Sequence, residues 1–320
     1  GITSLTREDY GLSLTLGGGE VSLLELSAAY SVFANGGRRL PTVAISKIID
    51  RTGNVVYEYE PPSGDQVVGA DHAFLITSIL SDTNARIPMF GTNPVINLAF
   101  PAAVKTGTTN DFRDNWTIGY TPDLVVGAWV GNTDYTPMVN TTGLSGAGPI
   151  WADFMTYGIQ TLENGTPTSF TRPAGIIDRV ICAISGTEPS QWCPQQRSEI
   201  FAADQPPPPE SEDLWKKVNI DTWTGLTASD ACSEFTDEKF SINVDDPWAR
   251  KWLKDDPQGR AWAEEMGFST PLFFAPERAC REDDPRPVIE ISRLTDGQTI
   301  KENPLRIEGI ITATENFDYY

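Results

Sequence analysis

Apolar positions follow first a helical and then an alternating spacing along the opening half of this chain. Leu23, Leu24, Leu26, Ala29, Tyr30 and Phe33 lie at helical spacing behind Ser22-Leu23-Leu24-Glu25, an S-x-x-E capping box. Asn35-Gly36-Gly37 ends that helix with residues that tolerate left-handed φ. Val43 to Ile49 and Val55 to Tyr59 read as two strands about a turn at Arg51-Thr52-Gly53-Asn54. Ala73, Phe74, Ile76 and Leu80 predict a second helix over 71–80, with Asp71 as N-cap and His72 exposed in the first turn. Ala102 to Thr109, Asn115 to Tyr120 and Leu124 to Gly131 then form three strands on two short turns, an antiparallel meander. The third is nearly all apolar, as expected of a central strand covered on both faces. Gly146 to Met155 follows as a closing helix.

The texture changes near Asn164, which predicts three segments: a compact α+β unit at 1–163, a Pro-rich, Cys-containing accessory region at 164–285, and the start of a β-sandwich at 286–320. Pro206 to Pro209 is a polyproline spacer. Asp246-Pro247 and Asp256-Pro257 each supply an N-cap and a first-turn proline, giving two short helices that end at Gly267. Trp248, Trp252 and Trp262 would stack on these helices; core packing is the expected role and a sugar-stacking platform the alternative. Ile289 and Ile291 alternate with polar residues, a turn follows at Thr295-Asp296-Gly297, and a second strand is expected over Leu305 to Ile311.

Charge narrows the function. With 24 Lys+Arg against 44 Asp+Glu, the chain carries −20 and collects no basic surface able to track phosphates, so nucleic-acid binding is excluded. The longest apolar run, Leu124 to Val130, is far short of the roughly 18–20 residues of a membrane helix. One histidine, His72, leaves little room for His-based zinc or triad chemistry, and no cofactor or metal is expected. Cys182, Cys193, Cys232 and Cys280 form no C-x-x-C pair. Two disulfides, Cys182–Cys193 and Cys232–Cys280, are the local choice among three connectivities and would imply an oxidising, extracytoplasmic compartment. Four buried thiols remain the alternative.

Lys105-Thr106-Gly107-Thr108 is the one catalytic signature, a Lys-Thr-Gly triplet on a strand beside a hairpin. A cation at a cleft edge binds a substrate carboxylate, and neighbouring hydroxyls donate to it. A residue without Cβ lets an extended ligand lie along the strand. The N–H of Thr108 can face a tetrahedral oxyanion. Asp111, Arg113 and Asp114 in the following turn are candidates for substrate positioning, with pinning of the hairpin as the competing role.

Leu16-Gly17-Gly18-Gly19-Glu20-Val21, Phe33-Ala34-Asn35-Gly36-Gly37, Ile79-Leu80-Ser81-Asp82 and Phe100-Pro101-Ala102-Ala103-Val104-Lys105-Thr106-Gly107-Thr108 together resemble class A penicillin-binding proteins. Asp111 to Pro122 is similar to the hairpin of the 1C type. The resemblance spans about residues 1–160. It implies part of a serine β-lactamase-like transpeptidase domain, with D-Ala-D-Ala stem peptides of peptidoglycan and β-lactams as ligands, acting outside the cytoplasmic membrane. Ser-x-x-Lys is missing, and Ser241-Ile242-Asn243 follows the Lys-Thr-Gly motif instead of preceding it. The acylated serine, a glycosyltransferase domain and a membrane anchor are therefore expected upstream of Gly1, and the chain alone is expected to be inactive. A carboxypeptidase or β-lactamase relative, and a non-catalytic wall-binding scaffold, are the other readings.

Overall fold

A computed structural model describes residues 2–301 and 304–312. Two compact units result, one of Gly1–Asp178 with Ile200–Pro206, the other of Arg179–Glu199 with the chain from Pro207 onward. The first unit begins with a 3-10 turn at Gly11–Leu16 and helix α1, Leu23–Ala34. Ser22 caps α1 by accepting the Glu25 N–H at 3.2 Å, as the capping box predicts. Strands β1 (Arg38–Arg39), β2 (Lys47–Ile49), β3 (Val55–Glu58) and β4 (Asp65–Gln66) follow, paired β1 with β4 and β2 with β3. Helices α2 (Ala70–Ser81) and α3 (Thr83–Phe90) lead to the meander of β5 (Ala103–Thr108), β6 (Asp114–Tyr120) and β7 (Val125–Gly131), and α4 covers residues Ala147–Leu162.

The meander is antiparallel throughout, with Lys105 opposite Ile118 and Ile118 opposite Gly127. Helix α4 presents Ala147, Trp151, Met155 and Ile159 at intervals of four, all buried, to Val104, Val126 and Ala128. Burial of a side chain the size of Met155 or Ile159 contributes about 1.5–3 kcal/mol. Close approach is allowed by Gly119, where a Cβ would stand 2.6 Å from the Trp151 indole. On the opposite face Gly127 makes the same allowance for Ser27 and Leu23 of α1.

Several details differ from the sequence expectation. Leu24 is 63% exposed and Val32 is the buried residue of α1. That helix is apolar around most of its circumference, so periodicity could not select a face. Ile76 likewise faces outward. Helix α2 starts at Ala70 behind Gly69, so Asp71 is a first-turn residue and no cap; its carboxylate lies against Gly175, where a side chain would have no room. Half-buried His72 has Nε2 3.8 Å from Asp204. Helix α3 was hidden by Pro88; Asp82 caps it through the N–H groups of Asn84 and Ala85.

Strands β8 (Ile176–Cys182) and β9 (Gln196–Ala202) pair with each other, and β10 (Trp215–Asp221) pairs with β11 (Thr236–Ile242). These two hairpins are an internal repeat: Ile181 and Ile220, Gly186 and Gly225, Ser190 and Ser229, and Cys193 and Cys232 all stand 39 residues apart. The backbone repeats with the sequence. The Cys182 N–H donates to Thr187 O and the Asp221 N–H to Leu226 O, each at 2.9 Å; Gly186 and Gly225 N–H return to Cys182 and Asp221 O, also at 2.9 Å. Both glycines have positive φ. Cys182–Cys193 and Cys232–Cys280 are disulfides, with Cα separations of 5.9 and 6.4 Å, so the local pairing holds and the four-thiol alternative falls.

Helices α5 (Pro247–Asp255) and α6 (Pro257–Glu265) are capped by Asp246 and Asp256 as predicted. The core of the second unit gathers Cys182, Leu214, Trp215, Ile242, Leu253, Ala263 and Phe268. Core packing fails for Trp248, which is 80% exposed. Strand β12 (Val288–Ser292) pairs with β13 (Glu308–Thr312), three residues later than expected. The reason is register: Ser292 faces Glu308 and Arg293 turns away at φ 67°, leaving Leu305 to Ile307 no partner. The expected sandwich extends into 302–303 and 313–320, outside the described residues.

Candidate substrate-binding strand

Strand β5 lies at the end of the order β5-β6-β7, so among the described residues one of its edges is unpaired. The Thr109 N–H donates to Asp114 O at 3.0 Å, which makes 109 and 114 a hydrogen-bonded pair. Antiparallel alternation then assigns Lys105 and Gly107 backbone groups to β6, and turns the N–H and C=O of Thr106 and Thr108 to the open edge. Lys105 is exposed, and its ammonium donates to the outward Thr106 O at 2.6 Å. Among the described residues it has no ion pair, so a cation stands unneutralised at the open edge of an acidic chain.

Side chains alternate the other way. Thr106 and Thr108 share a face with buried Asn115 and Thr117, and the loop before α4 closes over them. The Gly143 N–H donates to Thr108 Oγ1 at 2.9 Å, while Thr117 Oγ1 donates to Gly143 O at 2.8 Å. Because its oxygen accepts from Gly143, the Thr108 hydroxyl keeps its own proton for a ligand. Gly107 has no packing reason to lack a side chain: a Cβ there would meet only Trp116 Cβ, at 3.5 Å. Asn115 is buried, and among the described residues its Oδ1 has no partner.

The turn residues hold the hairpin. Asp114 accepts Trp129 Nε1–H at 3.0 Å and Thr109 Oγ1–H at 3.1 Å. Arg113 donates to Tyr135 O and lies 5.0 Å over the Tyr135 ring, with Asp111 3.7 Å away. Asp111 and Phe112 both have left-handed φ, 59° and 56°, an uncommon state for such residues.

Two supports went unrecognised in the sequence. Arg86 donates to Asn97 Oδ1 at 2.9 Å and reaches Leu80 O and Ala102 O, fastening the segment that enters β5; burial lowers its pKa, against the raising effect of Asp82. A lone arginine among apolar residues was the available signal. Tyr120, wholly buried at the end of β6, shares a 2.9 Å hydrogen bond with Thr77 of α2, and burial pushes its phenol up to about 12. Cys182, Cys193 and Asp213, and likewise Asp221, Cys232 and Cys280, lie close enough to hold an ion, but disulfide sulfurs are not thiolate ligands.

The penicillin binding protein transpeptidase domain family matches residues 6–156, and the penicillin-binding protein 1A C-terminal domain matches 172–209. Penicillin-binding protein 1A of Clostridium tetani is 32% identical over 203 residues, covering 62% of this chain and 25% of its own length. Penicillin-binding protein 2D of Bacillus subtilis is 30% identical over 239 residues, covering 67% and 33%. The crystal structure of penicillin-binding protein 1A from Haemophilus influenzae superimposes with a TM-score of 0.51 at 25% identity, over 61% of this chain and 34% of that one. The chain thus spans about a quarter to a third of the length of these relatives.

Proposed function

Residues 6–156 belong to the penicillin-binding protein transpeptidase family, and on that premise we propose that β5 is the carboxylate-binding wall of a peptidoglycan DD-transpeptidase. The unpaired edge carrying the Thr106 and Thr108 N–H groups is the observation that supports it most. A D-Ala-D-Ala stem peptide, or a β-lactam in its place, would lie along that edge as an added strand. Lys105 would attract and hold the terminal carboxylate, with Thr106 and Thr108 hydroxyls donating to it. The Thr108 N–H would face the oxyanion formed when a serine attacks the carbonyl, a donor worth about 100- to 1000-fold in rate. Gly107 leaves the strand bare where the ligand passes. Asp111, Arg113 and Asp114 pin the hairpin rather than touch substrate, given the partners they already hold.

No serine here sits in a Ser-x-x-Lys setting, so the nucleophile would come from parts of the relatives this chain does not span. Donor transfer to a neighbouring amine, glycan polymerisation by a partner domain, and work on the extracytoplasmic face of the membrane belong to the same proposal. The two disulfides favour that compartment. A hydrolytic relative would use the same strand and differ only in its acceptor.

Labelling with a fluorescent penicillin tests the assignment. The 320-residue chain should not label, whereas a longer protein containing it should. Lys105→Ala in that longer protein should cut acylation at least tenfold by removing the carboxylate anchor. Thr108→Ala should cost less, because the backbone donor stays. Unchanged acylation of Lys105→Ala would refute the role given to this strand.

A further inference from the structure

We propose that α5 of the second unit carries a glycan-stacking surface, built on Trp248 and Trp252. The helix is amphipathic in an unusual sense. Its inner side sinks Leu253 into the core and lays Arg250 and Lys254 over the Phe274 ring at 5.5 and 4.8 Å. Its outer stripe is Trp248, Lys251, Trp252 and Asp255, all exposed, with Trp248 at 80% and Trp252 at 40%. Those indoles are the side chains that burial would reward most, yet they occupy the solvent side.

The backbone beneath this stripe is pinned. Asp246 Oδ1 accepts the Ala249 N–H at 2.7 Å and Pro247 opens the helix, so the turn bearing Trp248 is fixed. Behind Trp252 the Trp262 ring stands 6.0 Å away, and Gly259 lets α6 close onto Trp252, where a Cβ would lie 3.0 Å from the indole. Residues four apart on a helix rise by about 6 Å, so Trp248 and Trp252 are neighbours on one stripe at a spacing on the scale of a sugar ring.

Charge selects the occupant. Lys251 can donate and Asp255 can accept beside the rings, and among the described residues neither is committed to an ion pair. That mixture of apolar plane, donor and acceptor suits a neutral polyol. Arg250, Lys251 and Lys254 nearly balance Asp245, Asp246, Asp255 and Asp256 in and beside the helix, so this face offers no net positive charge to an anionic lipid surface or a phosphate polymer, and the chain as a whole carries −20. The occupant is therefore a chain of neutral hexopyranoses. Naming the cell-wall glycan as its source rests on the function proposed above; the stacking surface itself does not.

The test titrates the purified 320-residue chain with the N-acetylglucosamine hexamer, following indole N–H resonances. The Trp248 and Trp252 signals should shift together, and Trp248→Ala should weaken binding about tenfold, with Trp248→Phe recovering part of it. Lys105→Ala should bind as the unaltered chain does. Absence of an indole shift at millimolar hexamer, equal affinity in Trp248→Ala, or uptake by phosphatidylglycerol vesicles in place of the glycan would overturn the proposal. Penicillin labelling is read separately, so its failure strikes the transpeptidase reading and leaves the stacking surface standing.

Discussion

Replacing Gly143 by alanine perturbs the fold and the candidate site through one atom. The new Cβ would stand 2.5 Å from Gly107 O, 2.6 Å from Trp116 O and 3.0 Å from Gly107 N. All three are backbone atoms of paired strands, so the loop must retreat by about 0.9 Å to reach an ordinary 3.4 Å contact. A retreat of that size stretches the 2.9 Å bond to Thr108 and the 2.8 Å bond from Thr117 beyond hydrogen-bond length. Thr117 is wholly buried, and its orphaned hydroxyl costs about 1–3 kcal/mol. Overpacking adds a similar amount, for a total of about 2–4 kcal/mol once partial relaxation is allowed. In a unit of this size, that lowers Tm by about 5–15 °C. Calorimetry of the purified chain would measure it, with Gly107→Ala as control. Alanine at 107 meets nothing nearer than 3.5 Å and should melt within about 2 °C of the unaltered chain. In a longer, penicillin-reactive protein, Gly107→Ala should lose acylation while keeping its stability, and Gly143→Ala should lose both. A Gly143→Ala chain as stable as the parent, or a Gly107→Ala chain as unstable as Gly143→Ala, would refute this account.

Thr77→Val should destabilise by about 1–3 kcal/mol, more than Tyr120→Phe at about 1 kcal/mol. The first strands a buried phenol, whereas the second leaves Thr77 its 2.9 Å bond to Ala73 O; denaturant unfolding would read the difference. Joint replacement of Cys182 and Cys193 by serine should cost about 2–3 kcal/mol, the constraint a short closed loop places on the unfolded chain, measured under non-reducing conditions. Hydrogen bonds from Ser4 and Thr3 hold the Glu25 carboxylate well below its ordinary 4.5, at about 2. A depressed carboxylate stabilises above its unfolded pKa and stops doing so as pH falls through its folded one. The anchoring of residues 3 and 4 should therefore persist at pH 5 and weaken toward pH 2; a carboxyl-carbon titration of Glu25 with a midpoint above 4 would contradict it.

The meander around Lys105 was legible because strand alternation and two tight turns agree on one pairing; the apolar third strand, expected at the centre of a sheet, lies instead at the end of the order β5-β6-β7 among the described residues. Helix caps at Ser22, Asp246 and Asp256 were equally open to reading, each being a local contract between a side chain and the next turn, whereas the cap at Asp82 was missed with the helix it opens. What escaped was tertiary. No local pattern tells that Gly143 returns to Thr108 across 35 residues, or that Arg86 reaches Ala102. The inward face of α1 could not be chosen, since a helix apolar on most sides has no moment to orient it. Trp248 misled for the opposite reason: its spacing with Trp252 does fit one helix face, but composition alone does not say whether that face meets protein or solvent.

The hairpin repeat shows how geometry and covalent bracing separate. At the first corner Cys182 bonds Cys193 within the hairpin; at the second its place is taken by Asp221, and Cys232 turns to Cys280. Yet the same two backbone bonds close both corners at the same 2.9 Å. Asp221 restores locally what the thiol lacks, accepting the Thr224 N–H at 3.0 Å and its hydroxyl at 2.6 Å. The corner is therefore set by its glycine and its hydrogen bonds, and the disulfides restrict the unfolded chain instead of shaping the folded one. It follows that serine at 182 and 193 should lower the melting temperature while leaving the Cys182 and Gly186 amides protected in the native state. Rapid hydrogen exchange at those amides, in protein that is otherwise folded, would show that the covalent bond shapes the corner after all.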